Sequence, residues 1–152
     1  MKYYKFFFQK ETDGSPVMES GEDFDIYEVE SKFYGCGEAK ELANRDWCDE
    51  HGDDEFIPDE IKLKAQNIEV KFGYKGDKFS ANAVISRLHE YLRNGGMMKI
   101  YDEYNHIGRK HVRFVGISDD AELVRNDDDG DILIFTVKLK ANDPATDVLL
   151  NK

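Results

Sequence analysis

The sequence has few cysteines and no long apolar run. Cys36 and Cys48 are its only two cysteines in 152 residues, so a disulfide-rich scaffold is excluded and a reducing compartment is favoured. No run reaches the roughly 18 apolar residues that a membrane span needs, and the start lacks the basic-then-apolar pattern of a signal peptide. We therefore expect no membrane span and no signal peptide.

The sequence is also short of positive charge. Lys and Arg number 21 against 32 Asp and Glu, which gives a net charge of −11. Binding to a phosphate backbone depends on basic side chains, so we expect no direct nucleic-acid binding. No Ser/His/Asp or Cys/His constellation, P-loop or dinucleotide fingerprint is present. The sequence therefore predicts neither an enzyme nor a cofactor.

One amphipathic helix is predicted over about residues 80–94. Ser80 is placed to cap its first turn, and Gly95 can adopt the left-handed conformation that ends a helix. Apolar residues recur at helical spacing and form one stripe, made of Ala81, Val84, Ile85, Leu88, Tyr91 and Leu92. A helix with one apolar face needs a surface to cover.

Strands surround this helix in the sequence. Alternating apolar residues predict strands at 3–8, 61–74, 97–101, 109–117 and 132–141, with a weaker strand at 24–29. We expect bulges near Gly116 and near residues 66–67, a hairpin at Asp129-Gly130, and a sheet that ends at residues 142–144. The prediction is one α+β domain over residues 1–152, mostly β, in which two packed sheets or a barrel-like sandwich are flanked by the helix.

The first predicted strand is aromatic on both faces. Tyr4, Phe6 and Phe8 share one face. Such a strand is either buried in the sandwich or pressed against a neighbouring subunit. We include these three residues among the predicted interface residues.

Residues 31–60 are predicted to be an irregular acidic loop, with a short helix at 38–44. A loop this long is usually functional or ordered by a partner. Seven acids and no Lys or Arg lie between residues 49 and 60. Asp53 and Asp54 are predicted contacts for a partner, and Trp47 either pins the loop to the core or makes such a contact. The tail at 145–152 is expected to be loose, unless residues 148–150 dock.

Two patterns suggest a metal site and neither is complete. The acidic run 127–131 resembles a calcium loop, but Arg125 and Thr136 occupy positions where an EF-hand needs anionic ligands. Cys48 and His51 have the spacing of half a zinc site, and Cys36 is the only further thiol. We expect no metal.

The second half of the chain resembles the N-terminal domain of bacteriophage distal tail proteins. The resemblance covers about residues 46–144 and lies in the order of elements: an acidic loop, a long strand, a helix ending LHEYLRNGG at 88–96, the turn YDEYN at 101–105, and a last strand ending NDP at 142–144. It implies a tail-tube-like β-sandwich in a non-enzymatic structural protein of a phage or prophage tail. We expect no carbohydrate-binding C-terminal domain of the kind that some relatives carry.

This resemblance also implies partners and a location. The protein would form a ring, often hexameric, at the junction of tube and baseplate, in contact with other tail proteins. It would assemble in the bacterial cytoplasm and end in the virion tail. Two alternatives stay open: a small acidic immunity or inhibitor protein that masks a basic partner, and an enzyme that uses the acidic cluster, with or without a metal.

Overall fold

Alternating strand patterns dominate the computed structural model, which describes residues 4–33, 37–76, 78–118, 122–124 and 131–151. The predicted Asp129-Gly130 hairpin and Cys36 lie outside these residues. The elements are β1 Phe6–Lys10, β2 Val17–Glu19, α1 Ser20–Phe24, β3 Tyr27–Lys32, β4 Asn44–Arg45, β5 Asp54–Glu55, β6 Gln66–Gly76, α2 Lys78–Arg93, β7 Met98–Asp102, β8 Ile107–Ile117, β9 Glu122–Val124 and β10 Asp131–Ala141.

The main sheet is antiparallel and curls round on itself. Its strand order is β2-β1-β7-β8-β10-β6-β3, and β9 pairs with β10. An isolated bridge between Tyr4 and Glu28 joins the segment before β1 to β3, near the two ends of this order. Phe6 of β1 meets Phe72 of β6 with ring centroids 5.6 Å apart, although three strands separate β1 from β6 in the sheet. The predicted mostly-β sandwich with a flanking helix is confirmed, and its two layers are the two halves of one continuous sheet.

The inward face of the sheet forms the core. Alternate residues of β6 and β10 point inward because side chains alternate across a strand. The predicted alternation of both strands is confirmed by burial of Ile68, Val70, Phe72 and Tyr74 in β6 and of Phe135, Val137, Leu139 and Ala141 in β10. The strand β10 ends at Ala141, as the Asn-Asp-Pro sequence after it predicts.

Helix α2 covers one end of this core. Ala81, Leu88 and Leu92 are buried, and Val84, Ile85 and Tyr91 pack against the same cluster, so the predicted apolar stripe is confirmed. The helix begins at Lys78, so Ser80 lies inside the first turn, and its prediction as the N-cap is wrong. Gly95 has φ of 85°, the left-handed conformation expected at the helix end.

Several local predictions need correction. The strand predicted at 24–29 begins only at Tyr27, because Phe24 is the last residue of α1 and Asp25, at φ 55°, turns the chain into β3. The long strand predicted at 61–74 is shorter at its start, since β6 begins at Gln66. The change of apolar phase near residues 66–67 therefore marks the beginning of the strand. The bulge near Gly116 is confirmed, since Gly116 pairs with Lys138 while Phe114 pairs with Leu139. Among the described residues, no helix is long and apolar enough to cross a membrane.

Candidate functional site: an exposed acidic arm

Residues 37–65, between β3 and β6, form a paired arm rather than an irregular loop. Near its base Lys40 N–H donates to the Lys62 carbonyl and Lys64 N–H to the Glu38 carbonyl, both at 2.8 Å. Farther out Phe56 N–H donates to the Ala43 carbonyl at 2.9 Å, and β4 pairs with β5. Residues 46–53 join the two sides at the tip. The predicted helix at 38–44 is wrong, because backbone groups of that segment pair across the arm.

The arm is almost entirely exposed and carries large apolar side chains. Trp47, Phe56, Ile57 and Ile61 are 46%, 71%, 65% and 43% exposed. Exposing apolar side chains to water costs free energy, about 1.5–3 kcal/mol for a fully exposed large side chain. An isolated two-stranded ribbon is at best marginally stable in water. The arm therefore shows a surface that a partner would stabilise.

Trp47 is held by the arm itself. Its indole N–H donates to a carboxylate oxygen of Asp54 at 3.1 Å, and the guanidinium of Arg45 lies 5.6 Å from its ring. The alternative in which Trp47 pins the loop to the core is therefore wrong. A half-exposed aromatic ring held in one orientation is typical of an interface anchor, because little side-chain entropy remains to be lost on binding.

The other predicted interface residues fall into two groups. Asp53 and Asp54 lie at the tip of the arm and are exposed. Phe6 and Phe8 are 0% exposed and pack in the core of the chain. Of the two alternatives for this strand, burial in the sandwich is therefore correct for Phe6 and Phe8, which are core residues rather than surface residues. Tyr4 is half-buried with its ring 4.6 Å from that of Tyr104.

A pair of buried carboxyls that the sequence pattern does not predict, Glu28 and Asp102, lies where the sheet closes. Asp102 is 0% exposed, and its two oxygens accept hydrogen bonds from Tyr104 N–H at 2.9 Å and the Asn105 amide at 3.1 Å. Burial, together with the adjacent Asp102, raises the pKa of Glu28 to about 9. The hydrogen bonds of Asp102 could have been predicted, because an Asp at the start of a polar turn often accepts bonds from the turn. Nothing in the sequence pattern indicates that Glu28 is buried. Because Asp102 has no exposed surface, this pair is closed to a substrate.

The described residues contain no group of three or more His, Cys, Asp and Glu side chains that could hold a metal ion. Cys48 is a free, exposed thiol at the arm tip. The acidic run 127–130 is outside the described residues.

No protein-family model matches the chain, and no curated protein matches it. A comparison with solved structures finds the crystal structure of the SPP1 Dit (gp 19.1) protein, described as a paradigm of the hub adsorption apparatus in phages that infect Gram-positive bacteria. The match covers 91% of this chain and 50% of that chain, at a TM-score of 0.59 and 15% identity.

The two chains share a fold. The chain spans half the length of the Dit chain, and at 15% identity the likeness is one of fold. The tail-tube-like sandwich that the sequence resemblance implies is consistent with this match.

Proposed function

We propose that the protein is a non-enzymatic structural component of a phage or prophage tail that assembles into a ring through its arm. The observation that best supports this proposal is the exposed, paired arm with its apolar side chains. The fold on which the arm is built is shared with a phage hub protein. We infer that residues 1–152 form one domain, and one domain is sufficient for such a role.

The arm is suited to assembly, because a two-stranded ribbon is marginally stable on its own and a neighbouring copy would stabilise it. It has no core beneath it, and Trp47 at the tip together with Phe56 and Ile57 below β5 presents apolar surface. Burying these groups against a neighbour would recover the free energy that their exposure costs. A contact between an arm on one copy and a different surface on the next is heterologous, and such contacts form a ring when the rotation from copy to copy closes. Six copies would match the arrangement that the family resemblance implies.

The remaining parts of the proposal concern partners and location. The ring would contact other tail proteins, assemble in the bacterial cytoplasm and end in the virion tail. A net charge of −11 would let DNA pass the ring without adhering, because like charges repel. No catalytic step is assigned to any residue.

The second candidate is a small acidic module that masks a basic partner surface. The acidic tip of the arm favours it, because complementary charge speeds and orients such encounters. It differs from the ring proposal in predicting a protein that stays monomeric at every concentration.

The test is a variant that removes apolar groups from the arm, Phe56→Ser with Ile57→Ser. Light scattering after size-exclusion chromatography should show that its assembly midpoint lies roughly tenfold or more higher in concentration than that of the unmodified protein, since two exposed apolar contacts are lost. Leu149→Ser is the matched control, because Leu149 is 76% exposed outside the arm. Unchanged assembly of the arm variant, with the control also unchanged, would contradict the proposal.

A further inference from the structure

The outward face of the sheet is basic in a protein that is otherwise acidic. Opposite residues of antiparallel strands point to the same side, so the strand register places Lys140 beside Arg113, and places Glu69 between Lys32 and Lys138. We call the outward cations of β3, β6, β10 and β8 the basic face: Lys32, Lys71, Lys75, Arg113, Lys138 and Lys140. Glu30 and Glu69 are the carboxylates among them.

These cations are poorly neutralised within the chain. Lys71 pairs with Glu30 at 3.6 Å. Within the part of the chain that the structure describes, Lys138 and Lys140 have no carboxylate at ion-pair distance. Like charges directly opposite on neighbouring strands, such as Lys140 and Arg113, destabilise a sheet. A cost of this kind indicates that the face serves a purpose other than folding.

The arm has the complementary charge and shape. Its 29 residues, 37–65, include ten acidic and four basic side chains, a net charge of −6. The basic face includes a shallow groove of about 230 Å³ at the bulge, where Val115 is 48% exposed beside Lys138. An acidic arm with exposed apolar side chains is therefore complementary to a basic face whose groove is lined by Val115, Ile68 and Leu139 as well as by Asn67, Glu69 and Lys138.

We propose that the arm of one copy docks on the basic face of the next copy. This inference rests on the proposed function and names the surface that receives the arm. Arm and face are different patches of one chain, so the contact is heterologous and leads from copy to copy. Because charge pairs contribute, assembly should weaken as salt rises from about 0.1 M to 1 M, where the screening length falls from about 10 Å to 3 Å.

The decisive experiment reverses charge on each surface separately. The face variant is Lys138→Glu with Lys140→Glu, and the arm variant is Asp49→Lys with Asp53→Lys. In light scattering each variant alone should assemble at a concentration about tenfold or more above that of the unmodified protein. The arm changes reduce the net charge of the arm from −6 to −2, and the face changes reduce that of the basic face from +4 to 0, so most of the attraction is lost. An equimolar mixture of the two should recover assembly, since unmodified arms meet unmodified faces at half of the contacts and the introduced lysines meet the introduced glutamates at the other half. The chain with all four changes should also recover it.

Arg87→Glu with Arg93→Glu is the control, because it makes the same change in charge on α2, away from the basic face. Urea unfolding of each variant shows that its fold is retained. If the face variant assembles like the unmodified protein, or if the mixture fails to recover assembly, the docking surface is wrong. The ring proposal is then tested separately by the Phe56/Ile57 variant. If the unmodified chain never assembles, both proposals are wrong.

Discussion

At the scale of single residues, the buried carboxyl of Glu28 is the least expected feature. Glu28 lies at the bridge to Tyr4 that joins the sheet near its ends, and one of its side-chain oxygens is buried without a hydrogen-bond partner among the described residues. Its pKa of about 9 means that the carboxyl is neutral near pH 7 in the folded chain. A protonated carboxyl beside Asp102 avoids a second buried charge.

The raised pKa of Glu28 predicts a dependence of stability on pH. Between its ordinary pKa of 4.5 and about 9, the folded chain retains a proton that the unfolded chain has released. The contribution of Glu28 to stability is therefore full below about pH 4.5, falls as pH rises and is lost by about pH 9. We expect Glu28→Gln, which cannot ionise, to flatten the decline in the free energy of unfolding measured in urea at pH 5, 7 and 9.

Glu30→Gln is the control for this prediction, because the Glu30 side chain is 57% exposed in the same strand. It makes the same Glu-to-Gln change at an exposed position and should leave the slope of the unmodified protein in place. Equal slopes for the Glu28 variant and the unmodified protein would show that Glu28 ionises normally in the fold.

The role of a residue could be predicted only where the sequence pattern also identified the segment that packs against its side chain. Alternation placed Phe6 and Phe8 on one face but left open whether the core or a neighbour covers that face. The structure answers this with Phe72 and Phe24, which lie in distant or differently folded segments. Trp47 was ambiguous for the same reason, since its partners Arg45 and Asp54 meet it only once the arm is paired.

At the scale of elements, long periodic segments were predicted and short or polar ones were not. β6, β10 and α2 each carry enough apolar residues at one spacing to be identified from the sequence. β2 and β9, of three residues each, are too short for a period to be seen. The arm was mistaken in part for a helix because the segment 38–44 pairs with residues farther along the chain, such as Ala39 with Leu63 and Asn44 with Glu55, which no local pattern records.

The C-terminal segment is an element that the structure defines without a helix or strand. Val148 N–H donates to the Gly108 carbonyl at 3.3 Å, and Leu150 is buried. Asp147 forms an ion pair with Arg109, whose side chain is 3% exposed. Of the two alternatives for residues 145–151, docking is therefore the one observed.

Docking of this segment predicts the effect of Gly108→Ala. A Cβ at Gly108 would overlap the Val148 carbonyl and lie 2.9 Å from the Ile100 carbonyl, so the segment must move away. We expect a loss of about 1–3 kcal/mol in the free energy of unfolding and faster removal of C-terminal residues by carboxypeptidase. Gly116→Ala is the control, since its Cβ meets nothing within 4 Å. The prediction is contradicted if the two variants behave alike in both measurements.

At the scale of the whole molecule, charge is separated rather than uniform. The arm carries a net charge of −6 within a total of −11, whereas the outward face of β3, β6, β10 and β8 is basic. When one surface of a chain is acidic and another is basic, the acidic surface of one copy is attracted to the basic surface of the next. This separation could not be read from net charge alone, because the face exists only after the strand register is fixed.

The most direct test of the central claim is the mass of the unmodified protein over a concentration series, measured by light scattering during size-exclusion chromatography. The account predicts a rise from the 17.6 kDa monomer to one discrete multiple of that mass, with closed rings in negative-stain images of the larger species. A mass of 17.6 kDa at every concentration would contradict the account and favour the acidic binding module.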